Sequence, residues 1–352
     1  MPNQEPFLTV SGINAAYDKQ SLTVKNVSFE LAEGELACLL GPSGCGKTTI
    51  LRAISGFQSL ESGHISLGGQ TLTSPKAYLS PEKRNVGMVF QDHALFPHLS
   101  ISDNVAFGLN KLSKSDKQKR INDSLDLVGM QKHANNYPHE LSGGQSQRIA
   151  LARAIAPQPK LLLMDEPFSN LDTELRETLG YEVRDLLKEL NMTAIMVTHD
   201  QSDAFALGDQ IGVMRSGELM QWDSSFNLYH APSNRFVANF IGDGVFIEGK
   251  MIDENLVSTP IGDIRGQTVN TKLADCNVDL LIRPDDVIYD PNSSIRGQVI
   301  RKAFKGAQTL YTIKTESGHQ LMSLVPSHDD YEIGDTIGLS IEADHLVCFE
   351  QS

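Results

Sequence analysis

The chain has 352 residues, 40% of them apolar and 21% charged, enough for two or three domains of roughly 100–200 residues with a sizeable core. Thirty basic residues against 44 acidic ones give a net charge of −14, which argues against non-specific binding to nucleic acid or to an anionic bilayer. No apolar run approaches the ~20 residues of a membrane helix, and Met1 to Pro6 lacks the basic-then-apolar layout of a signal peptide, so the expectation is a chain that stays in the cytoplasm. Cys38, Cys45, Cys276 and Cys348 lie far apart with no Cys-x-x-Cys pair, as expected of reduced thiols rather than a zinc or disulfide framework.

In chain order, Phe7 to Val10, Leu22 to Leu31, Leu36 to Leu40 and His64 to Leu67 are short apolar runs separated by Gly-containing turns, and they read as strands. Ile121 to Val128 and Gln145 to Ala156 carry apolar residues at three- and four-residue spacing, as in helices. Leu161 to Met164 is wholly apolar, as expected of a parallel strand buried on both faces. Leu175, Leu179, Val183, Leu186 and Leu190 then repeat helically before the apolar run Thr193 to Val197. This alternation predicts a parallel sheet with both faces covered. After Gly242 the segments are brief and alternating, as at Arg296 to Phe304 and Leu310 to Thr315, and predict an all-β barrel or sandwich. Residues 243–352 hold 18 acidic and 9 basic residues, net −9, leaving 26 and 21, net −5, for residues 1–242. That shift puts a domain boundary near Gly242.

Gly41-Pro42-Ser43-Gly44-Cys45-Gly46-Lys47-Thr48-Thr49 follows an apolar strand and opens a helix-compatible run, the context that G-x-x-x-x-G-K-[ST] requires. Its glycines let backbone N–H groups turn inward as an anion nest, backed by the positive end of the helix. Lys47 would reach the β- and γ-phosphates and Thr48 would offer its hydroxyl to Mg²⁺. Asp165-Glu166 ends the strand Leu161 to Met164. An Asp there in a phosphate-loop protein holds Mg²⁺, and the adjacent Glu is placed to polarise the attacking water. Leu141-Ser142-Gly143-Gly144-Gln145 opens the helix that contains Arg148 and Arg153, and its serine and glycines would form a second anion-binding surface.

The order of Gly41 to Thr49, Gln91, Leu141 to Gln145, Leu161 to Glu166, Ser169 to Asp172 and His199 resembles the nucleotide-binding subunit of ATP-binding cassette transporters. The resemblance implies a phosphate-loop NTPase cassette, an α/β fold with a parallel-sheet core, antiparallel β strands and a helical subdomain at about 92–158. It spans residues 1–242, followed by an all-β, oligonucleotide-binding-like regulatory domain of the TOBE type at 243–352. It further implies that two copies meet head to tail, each ATP lying between one chain's phosphate loop and the other's Ser142, Gly143, Gly144 and Gln145. Glu166 would then be the base and His199 the sensor of the γ-phosphate. Gln91 would touch Mg²⁺ or the water and relay nucleotide state to the membrane partner, and Tyr17 would stack on adenine. Ser169, Asn170, Leu171 and Asp172 would form the loop that crosses the dimer.

Asn234 to Gly242, followed by a β-rich module with Leu281 to Asp286, is similar to bacterial importers of sugars, polyamines, ferric iron, molybdate or sulfate. Within that group Asp165 to Asp172 and Gly242 to Phe246 look most like the ferric-iron import subunit, with Asn170 where sugar and polyamine members more often have Ala. The implied partners are a second copy, integral-membrane permease subunits and, indirectly, a periplasmic substrate-binding protein. The implied place is the cytoplasmic face of the inner membrane. Two other readings are a soluble cassette protein acting in DNA repair or on ribosomes, which the acidity opposes, and a regulatory module whose ATPase is idle.

Overall fold

The computed structural model describes residues 6–18, 21–269 and 275–351, the side chains of residues 17, 18 and 173 excepted. By internal contacts the chain divides into two compact units, residues 1–225 and 226–352.

The first unit begins with β1 (Leu8–Asp18), β2 (Ser21–Leu31), β3 (Leu36–Leu40), α1 (Lys47–Ser55), β4 (Ser62–Leu67), β5 (Gln70–Ser74), β6 (Ala77–Tyr78) and β7 (Val86–Val89). It continues with α2 (Ile101–Ala106), α3 (Lys114–Leu127), α4 (Gly143–Ile155), β8 (Leu161–Asp165), α5 (Thr173–Glu189), β9 (Thr193–Thr198), α6 (Gln201–Leu207), β10 (Gln210–Arg215) and β11 (Glu218–Asp223). One sheet is antiparallel, in the order β2-β1-β4-β5-β6. The other runs β11-β10-β3-β9-β8-β7, with β10, β3, β9, β8 and β7 mutually parallel and β11 an antiparallel edge.

Every residue of β3 and β9 is buried, as continuous apolar runs covered on both faces should be. A single hydrophobic cluster joins Leu8, Val10 and Ile13 of β1, Ile50, Leu51 and Ile54 of α1, and Leu39, Leu163 and Ile195 of the parallel strands. The antiparallel sheet therefore shares one core with α1 and the parallel sheet. This core positions the start of α1, where the phosphate loop ends. Helix α3 starts at Lys114, about two turns before the expected Ile121, because Ser113 caps it by accepting from the Asp116 N–H. Its first turns are polar and carry no apolar stripe to read.

The second unit holds α7 (Ser225–His230), α8 (Arg235–Ile241), β12 (Val245–Asp253), β13 (Leu256–Thr259), β14 (Gly262–Arg265), β15 (Gln267–Thr268), β16 (Asn277–Ile282) and β17 (Val287–Tyr289). β18 (Ile295–Phe304), β19 (Gln308–Thr315), β20 (Gln320–Pro326), β21 (Thr336–Ile341) and β22 (His345–Glu350) complete it. Its sheets are ordered β14-β13-β12-β16-β22-β15 and β17-β21-β18-β19-β20, and close into a barrel-like all-β body over a core that includes Ile247, Leu280, Tyr311, Ile313 and Leu339. The compact units part at 225/226, which places α8 with the β-rich unit. Ala238 of α8 packs against Leu281, Val347 and Phe349, and the Arg283 guanidinium donates to the carbonyls of Tyr229, Ala238, Gly242 and Asp243. Charge counting could not register this packing. Among the described residues no helix is long and apolar enough to cross a membrane, and all four cysteines are free thiols.

Candidate active site

The loop from Gly41 to Gly46 joins β3 to α1. Gly44 and Gly46 sit at φ +78° and +107°, where an L side chain is strained, and a Cβ on Gly46 would lie 2.7 Å from the Thr23 carbonyl oxygen. Gly41 is excluded from change by proximity instead, since its Cβ would lie 2.4 Å from the Met214 carbonyl oxygen. The Lys47 side chain is 5% exposed and folds back across the loop, its ammonium donating to the carbonyls of Gly41 at 2.6 Å and Pro42 at 3.1 Å. Cys45 points inward at 3% exposure, with Lys47 Nζ 3.8 Å from its sulfur, and burial pushes its thiol pKa up.

Parallel register carries the rest of the site to the same end of the sheet. β8 lies beside β9, and the chain turns at Asp165 and Glu166 just where β9 ends at Thr198. Thr48 Oγ1 donates to Asp165 Oδ1 at 3.0 Å, so the helix start and the strand end meet through a hydroxyl and a carboxylate. Burial pushes the Asp165 pKa up, while the Thr48 hydrogen bond pulls it down. Glu166 occupies the left-handed region at φ +45°, its N–H donating to the Val197 carbonyl, and its Oε2 lies 3.1 Å from His199 Nδ1. Ser169 Oγ donates to the Glu166 carbonyl at 3.0 Å, and Asp172 caps α5 by accepting from the Leu175 N–H. Thr23, Ser43, Gly44, Gly46, Lys47, Thr48, Thr49 and Glu166 line a cleft of about 190 Å³.

Asp165 and His199 do not line this cleft but adjoin it through Thr48 and Glu166, and other expected residues do not line it either. Gln91 follows β7, the neighbour of β8, but does not line it; its carbonyl accepts from Asn170 Nδ2 at 3.1 Å. Ser142 to Gln145 do not line it either. They form a reciprocal capping box at the start of α4, with Ser142 N–H donating to Gln145 Oε1 at 2.9 Å. Gly144 is flush against α5, where a Cβ would lie 3.0 Å from a Leu175 methyl. Tyr17 belongs to β1, and its side chain lies outside the described residues. A larger cavity of about 600 Å³, lined by Arg120, Lys160 and Met192 among others, lies at the opposite ends of β8 and β9 and contains no phosphate-loop residue.

Sequence reading missed Thr23, whose carbonyl packs on both Gly46 and Gly217, because nothing local marks a strand residue that a distant loop leans on. It also missed the tie between Arg176 and two loops of the site. Arg176 Nη1 pairs with Asp200 Oδ2 at 2.7 Å, next to His199, and Nη2 donates to the Ser169 carbonyl at 3.4 Å. A helix arginine four residues after a cap is usually a solvated one, so only packing reveals it.

A glycine loop with an inward lysine, a hydroxyl–carboxylate pair and a Glu–His pair at the carboxyl ends of parallel strands form a site built for a nucleotide's phosphates. A family model described as ABC transporter matches residues 24–169, and one described as TOBE domain matches residues 280–349. The spermidine/putrescine import ATP-binding protein PotA of Vibrio vulnificus is 38% identical over 355 residues, covering 96% of this chain and 92% of the relative. The Fe(3+) ions import ATP-binding protein FbpC of Streptomyces avermitilis is 39% identical over 329 residues, covering 91% and 92%. Among solved structures, an ATP-binding cassette in a dimeric post-hydrolysis state bound to ADP and Pi aligns with a TM-score of 0.54 at 29% identity, covering 62% of this chain and 98% of that one. The chain belongs to the ATP-hydrolysing subunits of ABC importers.

Proposed function

We propose that two copies of this chain close head to tail over two ATP molecules, and that hydrolysis there drives import through a membrane permease, with ferric iron as cargo. The observation that carries the reading is the division of the site. Lys47, Thr48 and Glu166 line one cleft, with Asp165 bonded to Thr48 and His199 to Glu166 beside it, while the cap at Ser142 to Gln145, with N–H groups and no side-chain bulk at two glycines, does not line it. A second copy would bring that cap to the first copy's phosphates. The dimeric state of the cassette solved with ADP and Pi supports this arrangement.

In this reading the phosphate oxygens take the inward N–H groups of residues 43–48, and they compete with the carbonyls of Gly41 and Pro42 for the Lys47 protons. The donor set fits a hard cation. Thr48 Oγ1 and Asp165 Oδ1, already 3.0 Å apart, and Gln91 would hold Mg²⁺, which supplies charge neutralisation on the phosphates. Glu166 accepts a proton from the attacking water. His199, with Nδ1 towards Glu166, has Nε2 free to meet a γ-phosphate oxygen. Asn170, bonded to the Gln91 carbonyl, sits in the loop proposed to cross to the partner.

The cargo does not follow from this chemistry, because the ATPase need not touch it. Ferric iron is supported by Asp165 to Asp172 and Gly242 to Phe246 and by the 39% identity to the iron-import relative; spermidine or putrescine is the second reading, on the 38% identity over 96% of this chain. The test is ATPase activity of the full chain with and without its permease, in vesicles, with uptake of radiolabelled ferric iron and radiolabelled spermidine measured side by side. Permease-stimulated turnover with iron uptake supports the proposal. Spermidine uptake alone moves the cargo to the second reading, and an absence of stimulated turnover refutes both.

A further inference from the structure

We propose that Arg153 is a positioning residue for ATP hydrolysis, clamping the loop after Gln91 to the helix that begins at Ser142 to Gln145. His93 and Ala94, directly after Gln91 and Asp92, both lie in the left-handed region, at φ +61° and +47°. Histidine tolerates this region better than most residues but alanine does not, so at Ala94 the turn is held by its surroundings against local preference. Besides the His93 N–H, which donates to the Phe90 carbonyl at 2.9 Å, the holder is one guanidinium. Arg153 Nη1 donates to the Ala94 carbonyl at 2.7 Å and Nη2 to the His93 carbonyl at 2.8 Å, with the Phe96 ring centroid 5.6 Å from its Cζ. Two carbonyls in adjacent left-handed residues match the planar fork of an arginine, and one ammonium has no such fork.

The clamp has a second jaw. The Gln91 carbonyl accepts from Asn170 Nδ2, so the segment from Gln91 to Ala94 is tied on one side to the loop after Glu166 and on the other to the last turn of α4. From Gly143 to Arg153 that helix is a rod of about 15 Å at 1.5 Å per residue. A displacement of the Gln91 loop therefore drags α4, and with it the cap at its start, or breaks two charge-assisted hydrogen bonds. This makes Arg153 the link between Gln91 in one copy's site and the Ser142 cap offered to the other copy. The inference rests on the proposed role of Gln91.

The test uses the purified full chain and measures kcat and the KM for ATP separately in Gln91→Ala, Arg153→Ala, Arg153→Lys, Ala94→Gly and the double variant Arg153→Ala with Ala94→Gly. Arg153→Ala is expected to lose about tenfold or more in kcat with KM changed less than threefold, because residues 41–49 are untouched, and Arg153→Lys to fall between it and wild type. Glycine adopts the left-handed turn without a holder, so Ala94→Gly is expected to recover several-fold of the lost kcat in the Arg153→Ala background. Wild-type kcat in Arg153→Ala, with kcat lost in Gln91→Ala, overturns this inference alone. An equal loss of kcat and ATP affinity that Ala94→Gly does not recover also overturns it, in favour of a merely structural arginine. Wild-type kcat in Gln91→Ala fails the proposed role of Gln91 itself.

Discussion

Arg84 is 1% exposed, among the largest fully buried side chains of the described residues, and its surroundings allow the cost of losing it to be worked out. Its Nε donates to the Leu79 carbonyl at 2.7 Å, Nη1 to the Ala53 and Ile54 carbonyls at 2.8 and 2.9 Å, and Nη2 to Thr73 Oγ1 at 2.8 Å. Ala53 and Ile54 are in the last turn of α1, so the guanidinium satisfies carbonyls that the helix itself cannot, and its charge faces the negative end of the dipole. Gly56 must be glycine for the same reason, since a Cβ there would lie 2.6 Å from Arg84 Nε and φ is +92°. Arg84→Met leaves three carbonyls and a hydroxyl without partners, at about 1–3 kcal/mol each, against which stands relief of the several kcal/mol of burying a charge. The expected net loss is about 3 kcal/mol. In a unit of this size that lowers Tm by roughly 6–12 °C. Arg84→Lys keeps the charge but has one nitrogen where three are used, and about 2 kcal/mol, or roughly 4–8 °C, is expected. Calorimetry of the full chain, following the transition of residues 1–225, measures both. An Arg84→Met transition within about 2 °C of wild type would refute the reasoning, because it would mean that four buried hydrogen bonds at the base of the phosphate-loop helix contribute nothing net.

Glu166→Gln removes the proposed proton acceptor while retaining the shape of the site. Turnover is expected to fall by about 10²–10⁴ with ATP binding retained, as read by single-turnover hydrolysis and nucleotide titration, and brisk turnover would remove Glu166 from the role of base. Complete alkylation of Cys45 is expected to abolish ATPase activity by filling the space against Lys47. At 3% exposure, and with its pKa raised, Cys45 should react more slowly than the half-buried Cys276, and mass spectrometry of the alkylated thiols against residual activity tests both statements. Burial, with Asp285 and Asp344 nearby, raises Asp286 from 3.8 to about 6. A carboxyl that ionises less readily folded than unfolded costs nothing below the unfolded value; its penalty grows between pH 4 and 6 and is complete above 6. Asp286→Asn, which still accepts from the Arg283 N–H, is therefore expected to raise the Tm of residues 226–352 at pH 8, by an amount on the order of 2 kcal/mol in stability, and to leave it unchanged near pH 4. A fall in Tm at both pH values would contradict the assignment.

Local chemistry was legible wherever consecutive residues carry it. Gly41 to Thr49 had to be a turn of positive φ before a helix, because the glycines and the lysine act within one loop. Leu141 to Gln145 had to cap a helix, because Ser142 and Gln145 bond each other three residues apart. The apolar runs at Leu36, Leu161 and Thr193 specified buried parallel strands by composition alone. Only the tertiary structure decided what crosses long stretches of chain. The Thr48–Asp165 contact spans 117 residues and the Arg153 clamp about 60, and each depends on strand order and register that no window of sequence contains. Ala238 and the buried Arg283 join α8 to the β unit through its interior, a contact that charges counted along the chain do not register. The sequence by itself determined which residues are proposed to grip a phosphate. The packing of two sheets around α1 decided which of them meet, because burial of a shared core, not spacing along the chain, sets the distances between loops.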